Sequence, residues 1–65
     1  MKTIREILQE IDERGLQVIA MRWGGQGTDK WGVRIGLAEW REAATLDAAL
    51  IAAWDRYDAE TGGAA

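Results

Sequence analysis

The stretch Arg22–Gly32, RWGGQGTDKWG, sets an arginine and a tryptophan before a glycine-rich loop, and a lysine and a tryptophan after it. Indoles stack on nucleobases at about 1–3 kcal/mol per base while cations meet phosphates. Trp23 and Trp31, with Arg22, Lys30 and Arg34, are therefore a candidate nucleic-acid tip. The same residues also read as a plain β-hairpin. Alternation sets both tryptophans among Ile, Met and Val, Asp29 stands beside Lys30, and the glycines suit positive-φ turn positions. Two other loop chemistries fail. GGQGTDK lacks the G-x-x-x-x-G-K-[ST] spacing and leads into a strand, whereas phosphate is cradled by amides at a helix N-terminus. GGQG has the form of the G-x-x-G clamp of KH domains, but that loop joins two helices.

Carboxylates form the second group that could do chemistry. Glu6, Glu10, Asp12 and Glu13 lie in one segment, and Asp47, Asp55, Asp58 and Glu60 in another. A rigid anionic array imitates a phosphate backbone or covers a basic groove. The alternative is a solvated helix face, since Arg5, Arg14 and Arg56 are interleaved. The candidate partner-binding residues are thus Asp47, Asp55, Asp58 and Glu60, with Arg22 and Arg34 on the hairpin. The chain has no histidine, cysteine or serine. That removes the usual general base, the commonest metal ligands and the ordinary hydrolytic triads. No catalytic, metal-binding or cofactor-binding residue is expected, and the chain reads as non-enzymatic.

These residues must be held by a small frame. In TIREILQEIDERG, Ile4, Ile7, Leu8 and Ile11 follow the spacing of one helical face, Thr3 and Glu6 form a capping-box pair, and Gly15 suits a left-handed C-terminal position. LQVIAMRW and KWGVRIGL read as two strands of an antiparallel hairpin. Trp31, Val33, Ile35 and Leu37 alternate against Lys30, Gly32, Arg34 and Gly36, and Ile19, Met21 and Trp23 form the larger apolar set of the first strand. The first helix is expected to cover that Ile/Met/Trp set. Val18, Ala20, Arg22, Gly32, Arg34 and Gly36 would then make a shallow opposite face, open to contact or simply to solvent. AEWREAA, residues 38–44, reads either as a short third strand with Trp40 turned inward or as an irregular connection.

Thr45 suits the N-cap of LDAALIAAWDRYDAE, with Asp47 in its first turn and Leu46, Ala49, Leu50, Ala53 and Tyr57 as a core stripe. Ala48, Ile51, Ala52 and Trp54 extend the apolar surface around that helix, which makes Ile51 and Trp54 the candidate self-association residues of a homodimer. The expected fold is α+β: a small single domain over residues 1–60, in the order α-β-β-(β)-α, with two helices packed on a short antiparallel sheet. Residues 61–65, TGGAA, are expected to be a flexible C-terminal tail.

With 65 residues, the chain can bury only about 60% of its unfolded surface, and without cysteine no disulfide reinforces it. Tryptophan packing or self-association remains. A net charge of −3 argues against a general nucleic-acid coat or an anionic membrane surface. MKTIREILQE lacks the apolar run of a secretory signal, and no stretch approaches a membrane span of roughly 20 apolar residues. The expected location is the cytoplasm.

In size, in composition and in the closing segment TLDAALIAAWDRYDAE, the chain resembles small accessory proteins of phages and prophages, including the anti-CRISPR inhibitors of host defence complexes. The resemblance implies an acidic inhibitor or regulator that occludes a protein partner, such as a basic nucleic-acid-binding complex. It assigns no role to any single residue. The other class left open is a nucleic-acid-binding module that uses the Arg/Trp hairpin as a dimer.

Overall fold

A computed structural model describes residues 2–25 and 28–62, and shows an α+β domain in the order α1, β1, β2, β3, α2. Helix α1 (Ile4–Arg14) starts where the sequence places its cap. Thr3 accepts from the Glu6 amide at 3.2 Å while Glu6 accepts from the Thr3 amide at 2.9 Å, which satisfies two of the amides a helix start leaves without partners. It ends at Gly15, whose φ of 63° costs a residue without Cβ little. Ile7 is fully buried and Ile4 and Ile11 pack around it, but Leu8, expected on the same stripe, is 51% exposed.

The sheet runs β1-β2-β3, with β1 (Val18–Gly25) and β2 (Thr28–Ile35) antiparallel and β3 (Arg41–Ala43) antiparallel to β2. The β1–β2 register pairs Val18 with Ile35, Ala20 with Val33 and Arg22 with Trp31. Gly25 pairs with Thr28, which leaves two residues between the strands; these, residues 26 and 27 of the glycine-rich loop, lie outside the described residues. An even number between the strands sets odd residues of β1 opposite even residues of β2. Directly opposed residues share a face. Val18, Ala20 and Arg22 therefore share the helix side with Trp31, Val33 and Ile35, while Ile19, Met21 and Trp23 share the other side with Lys30, Gly32 and Arg34.

This corrects two expectations. The first helix does not cover the Ile/Met/Trp set, and Arg22 and Arg34 do not share a shallow face. A three-residue connection would have placed Trp23 opposite Trp31 as expected; one residue fewer turns every side chain of β1 over. Leu37 also leaves the inward set. The strand ends at Ile35, Gly36 turns at φ 60°, and Leu37 is 95% exposed. The Gly36 amide still bonds the Gln17 carbonyl at 2.7 Å.

Residues 41–43 settle the open choice over 38–44 in favour of a short third strand, pairing Trp31 with Ala43 and Val33 with Arg41, but Trp40 precedes that strand and stands beside Arg34 on the side away from the helices instead of turning inward. Helix α2 (Leu46–Glu60) then starts at Thr45, whose hydroxyl accepts from the Ala48 amide at 3.2 Å. It lies over β2 and β3 and touches α1. The core joins Ile7 of α1, Val33 and Ile35 of β2, and Ala49, Leu50, Ala53 and Trp54 of α2. Each of the three fully buried aliphatics contributes about 1.5–3 kcal/mol. Tyr57 packs at the margin of this core, but Leu46, expected in the stripe, is exposed.

Residues 63–65 of the expected tail lie outside the described residues. No helix among the described residues is long and apolar enough to cross a membrane.

Ala49 and Ala53 have no exposed surface, so the helix-to-sheet distance is set by side chains of one carbon. Ala53→Leu is expected to lower stability by about 1–3 kcal/mol through overpacking, read by urea denaturation. An unchanged midpoint would mean that α2 can shift away from the sheet.

Candidate functional site

The face of the sheet away from the helices carries the residues with the most capacity for contact. Trp23 is 39% exposed and Met21 50% exposed. Trp23 stands opposite Lys30, and Met21 opposite Gly32, which is in turn paired with Glu42 of β3. The Trp23 indole lies over Gly32: a Cβ at that position would run into the far ring atoms of Trp23. Glycine here leaves room for an aromatic ring from the neighbouring strand. The outer side of that ring is open.

The β2–β3 pairing, continued one residue past Val33 and Arg41, brings Arg34 beside Trp40. The Arg34 guanidinium carbon lies 5.8 Å from the Trp40 ring centroid, within cation–π range. The Nε of Arg34 is buried and has no hydrogen-bond partner among the described residues. Arg34 is thus steered by a ring across the sheet. Trp40 was not among the sequence candidates, because its role depends on the pairing of a three-residue strand.

The other candidates are dispersed. Arg22 is exposed on the helix side of β1, one strand over from Trp31, which packs against the core. Asp47 stands in the first turn of α2, beside an apolar cleft of about 230 Å³ between α1, α2 and β1. Asp55 is exposed and shares a shallow recess with Arg41 and Arg56. The Asp58 carbonyl lies 3.4 Å from the Thr61 hydroxyl at the end of α2. Glu60 is held by Arg56 and accepts from the Glu39 amide at 3.2 Å, and Arg56 reaches Glu39 at 3.1 Å.

Trp54, expected on a self-association face, is 4% exposed: it packs in the core, 5.4 Å from the Tyr57 ring, with the Arg14 guanidinium 5.7 Å from its own ring. Within one chain it offers no surface for a dimer. Ile51 is half-buried against the same core. The sequence shows α2 as apolar around much of its circumference, but β3 and α1 take up part of what one strand pair would leave bare.

The ionisable groups are set by surface contacts. The Thr3 amide and hydroxyl hold the Glu6 carboxyl below its ordinary range, and the hydrogen bond from Lys2 does the same for Glu10, which also meets Arg14 at 2.9 Å. The Glu39 amide, then Arg56, lowers Glu60. The hydrogen bond to Glu10 raises Lys2, the one to Tyr57 raises Arg14, and the one to Glu60 raises Arg56. Among the described residues, no group of three or more acidic, histidine or cysteine side chains is placed to hold a metal ion.

Depressed carboxyls stabilise the fold above their unfolded range and stop doing so as pH falls through the folded values. The thermal midpoint is accordingly expected to stay level from pH 7 to about 5 and to fall below about pH 4, less steeply at high salt. A midpoint that rises on acidification would overturn this. Gly32→Ala is expected to displace the Trp23 ring, costing about 1 kcal/mol, the low end for overpacking. In a Trp23→Ala background the same change should cost nothing, since no ring is there to be met. Equal costs in both backgrounds, measured by denaturation, would show that Trp23 does not rest on Gly32.

Comparison of the chain with protein-family models, with curated proteins and with solved structures yields no match.

Proposed function

We propose that the chain is a non-enzymatic binding protein that docks a protein partner on the open face of its sheet, as an inhibitor or regulator would. The observation that carries this reading is the composition of that face: Met21, Trp23, Arg34 and Trp40 stand where a solvent-facing sheet carries short polar and charged side chains. Trp, Met and Arg are enriched at protein interfaces, and buried Trp and Arg supply most of the binding energy. The partner chemistry that fits is an apolar pocket for the indoles with carboxylates at its margin for Lys30 and Arg34.

A single-strand nucleic-acid reading draws on the same two indoles and two cations. A nucleic-acid groove needs a row of cations along the backbone path, whereas Lys30 and Arg34 share their face with Glu42 and the whole chain carries −3. The balance favours protein. A basic nucleic-acid-handling partner, as the resemblance to phage inhibitors suggests, would instead be met by Asp55 and Asp58 on the outer side of α2.

The test is capture of a partner by the tagged chain from nuclease-treated bacterial lysate, repeated with variants of unchanged circular dichroism. Trp40→Ala and Arg34→Ala are each expected to weaken the captured complex at least tenfold, and the pair Asp55→Lys, Asp58→Lys to leave it intact. The reverse pattern would move the site to α2. Binding that vanishes with nuclease and falls steeply with salt would replace this reading with the nucleic-acid one.

A further inference from the structure

Strand β1 is an edge of the sheet, and it is the least finished part of the domain. Six large apolar side chains are exposed among the described residues, and all but Leu37 stand on β1 or beside it. Met21 and Trp23 project from its open face. On the helix side, Val18 and Ala20 form the floor of the cleft whose walls include Leu8 of α1 and Leu46 of α2. Neither helix closes over this strand, since α2 lies on β2 and β3. Apolar surface is thus left on both sides of one strand, which a ligand on a single face could not cover.

The backbone of β1 is open as well. The bond from the Gly36 amide to the Gln17 carbonyl falls on the line of the β1–β2 register. Because bonded and non-bonded pairs alternate in an antiparallel ladder, the odd residues of β1 bond to β2, and even residues such as Val18, Ala20 and Gly24 turn their N–H and C=O outward. Natural edge strands are guarded by proline, lysine, a bulge or an inward charge. VIAMRWGG carries no proline, lysine or carboxylate, and its register with β2 runs without a bulge; its one charge is Arg22, on the helix side towards the hairpin end of the strand.

We propose that the occupant of this edge is a second copy of the chain, with β1 paired antiparallel to the partner's β1 about a two-fold axis at Met21. In that register Met21 lies opposite the partner's Met21, Ile19 opposite the partner's Trp23, and Val18 opposite the partner's Gly24. Odd residues meet odd residues, so the two open faces join into one and the two helix sides into another, and the sheet becomes continuous over six strands. The outward groups of the even residues pair across the axis. Self-pairing also answers the thinness of a core in which two of the seven clustered residues are alanine, since association is the reinforcement left to a small chain without disulfides. A foreign strand could bond the same edge but has no reason to match both apolar sides; the two-fold pairing matches them by symmetry.

The test uses the whole chain. Light scattering over low to high micromolar concentration is expected to show twice the chain mass, and Ala20→Pro to give the monomer mass with unchanged far-ultraviolet circular dichroism. Ala20→Pro removes an outward N–H and leaves the β1–β2 bonds in place. Because the chain has no cysteine, Met21→Cys is expected to form an intermolecular disulfide under mild oxidation, well ahead of Leu37→Cys at the exposed turn. A wild-type monomer mass at every concentration overturns the proposal, as does a folded Ala20→Pro variant that stays dimeric. Should Ala20→Pro fail to fold, the cysteine pair decides: equal cross-linking at 21 and 37 sinks the β1 interface. Because these readouts need no partner, they are independent of the docking reading above.

Discussion

Parity in the β1–β2 register decides which side chains reach the helices and which face outward, because side chains alternate along each strand and directly opposed residues share a face. With Gly25 paired to Thr28, every odd residue of β1 lies beside an even residue of β2. That assignment sends Val33 and Ile35 to the helices together with the small or weakly covered Val18 and Ala20, and sends Met21 and Trp23 to the open side. A shift of one residue would have gathered the larger apolar residues of both strands under the helices. Such a domain would have a fuller core and a polar outer face. The observed one has a lean core and an aromatic outer face.

Glycine makes that outcome packable. Gly32 leaves an open floor between Met21 and Glu42, and the Trp23 ring fills it, so a tryptophan that is not in the core is still partly covered. On β2 and β3 a second aromatic contact forms by the same cross-strand logic, between Arg34 and Trp40. These residues are ordered by the sheet, yet their outer sides remain available. Side chains fixed before contact lose less conformational entropy on binding, which is why the open face suits the docking proposed for it.

On the other side of the sheet, charge works locally. Lys2, Glu10 and Arg14 tie together the outer side of α1, and Arg14 continues over Trp54 toward Tyr57. Arg56 draws Glu39, in the segment before β3, to Glu60 at the end of α2. Such exposed pairs contribute little each, but they commit Glu10 and Glu60 to the fold. An acidic array read from the sequence is therefore smaller in space than it is along the chain.

Both helices could be read from the sequence, because their signals are local: Thr3 with Glu6 and then Gly15 for α1, Thr45 for α2, and an apolar period between them. The two hairpin strands followed from alternation and the candidate acids were correctly placed on helices, but residues 38–44 stayed open between a third strand and an irregular connection until β3 was seen paired to β2. Which faces the strands turn to the helices was not legible. GGQG accommodates a two-residue or a three-residue connection with equal ease, and the difference inverts the strand. Trp54 was misplaced for a related reason, since its burial depends on β3 and α1 closing around α2. Trp40 was missed because its contact with Arg34 exists only once β3 is paired. The helices and the two hairpin strands are written in the chain, since capping and periodicity act within a few residues, whereas a three-residue strand such as β3 exists only through its partner β2. The faces are not written in the chain, since parity is set by long-range pairing and each face is defined by what packs against it.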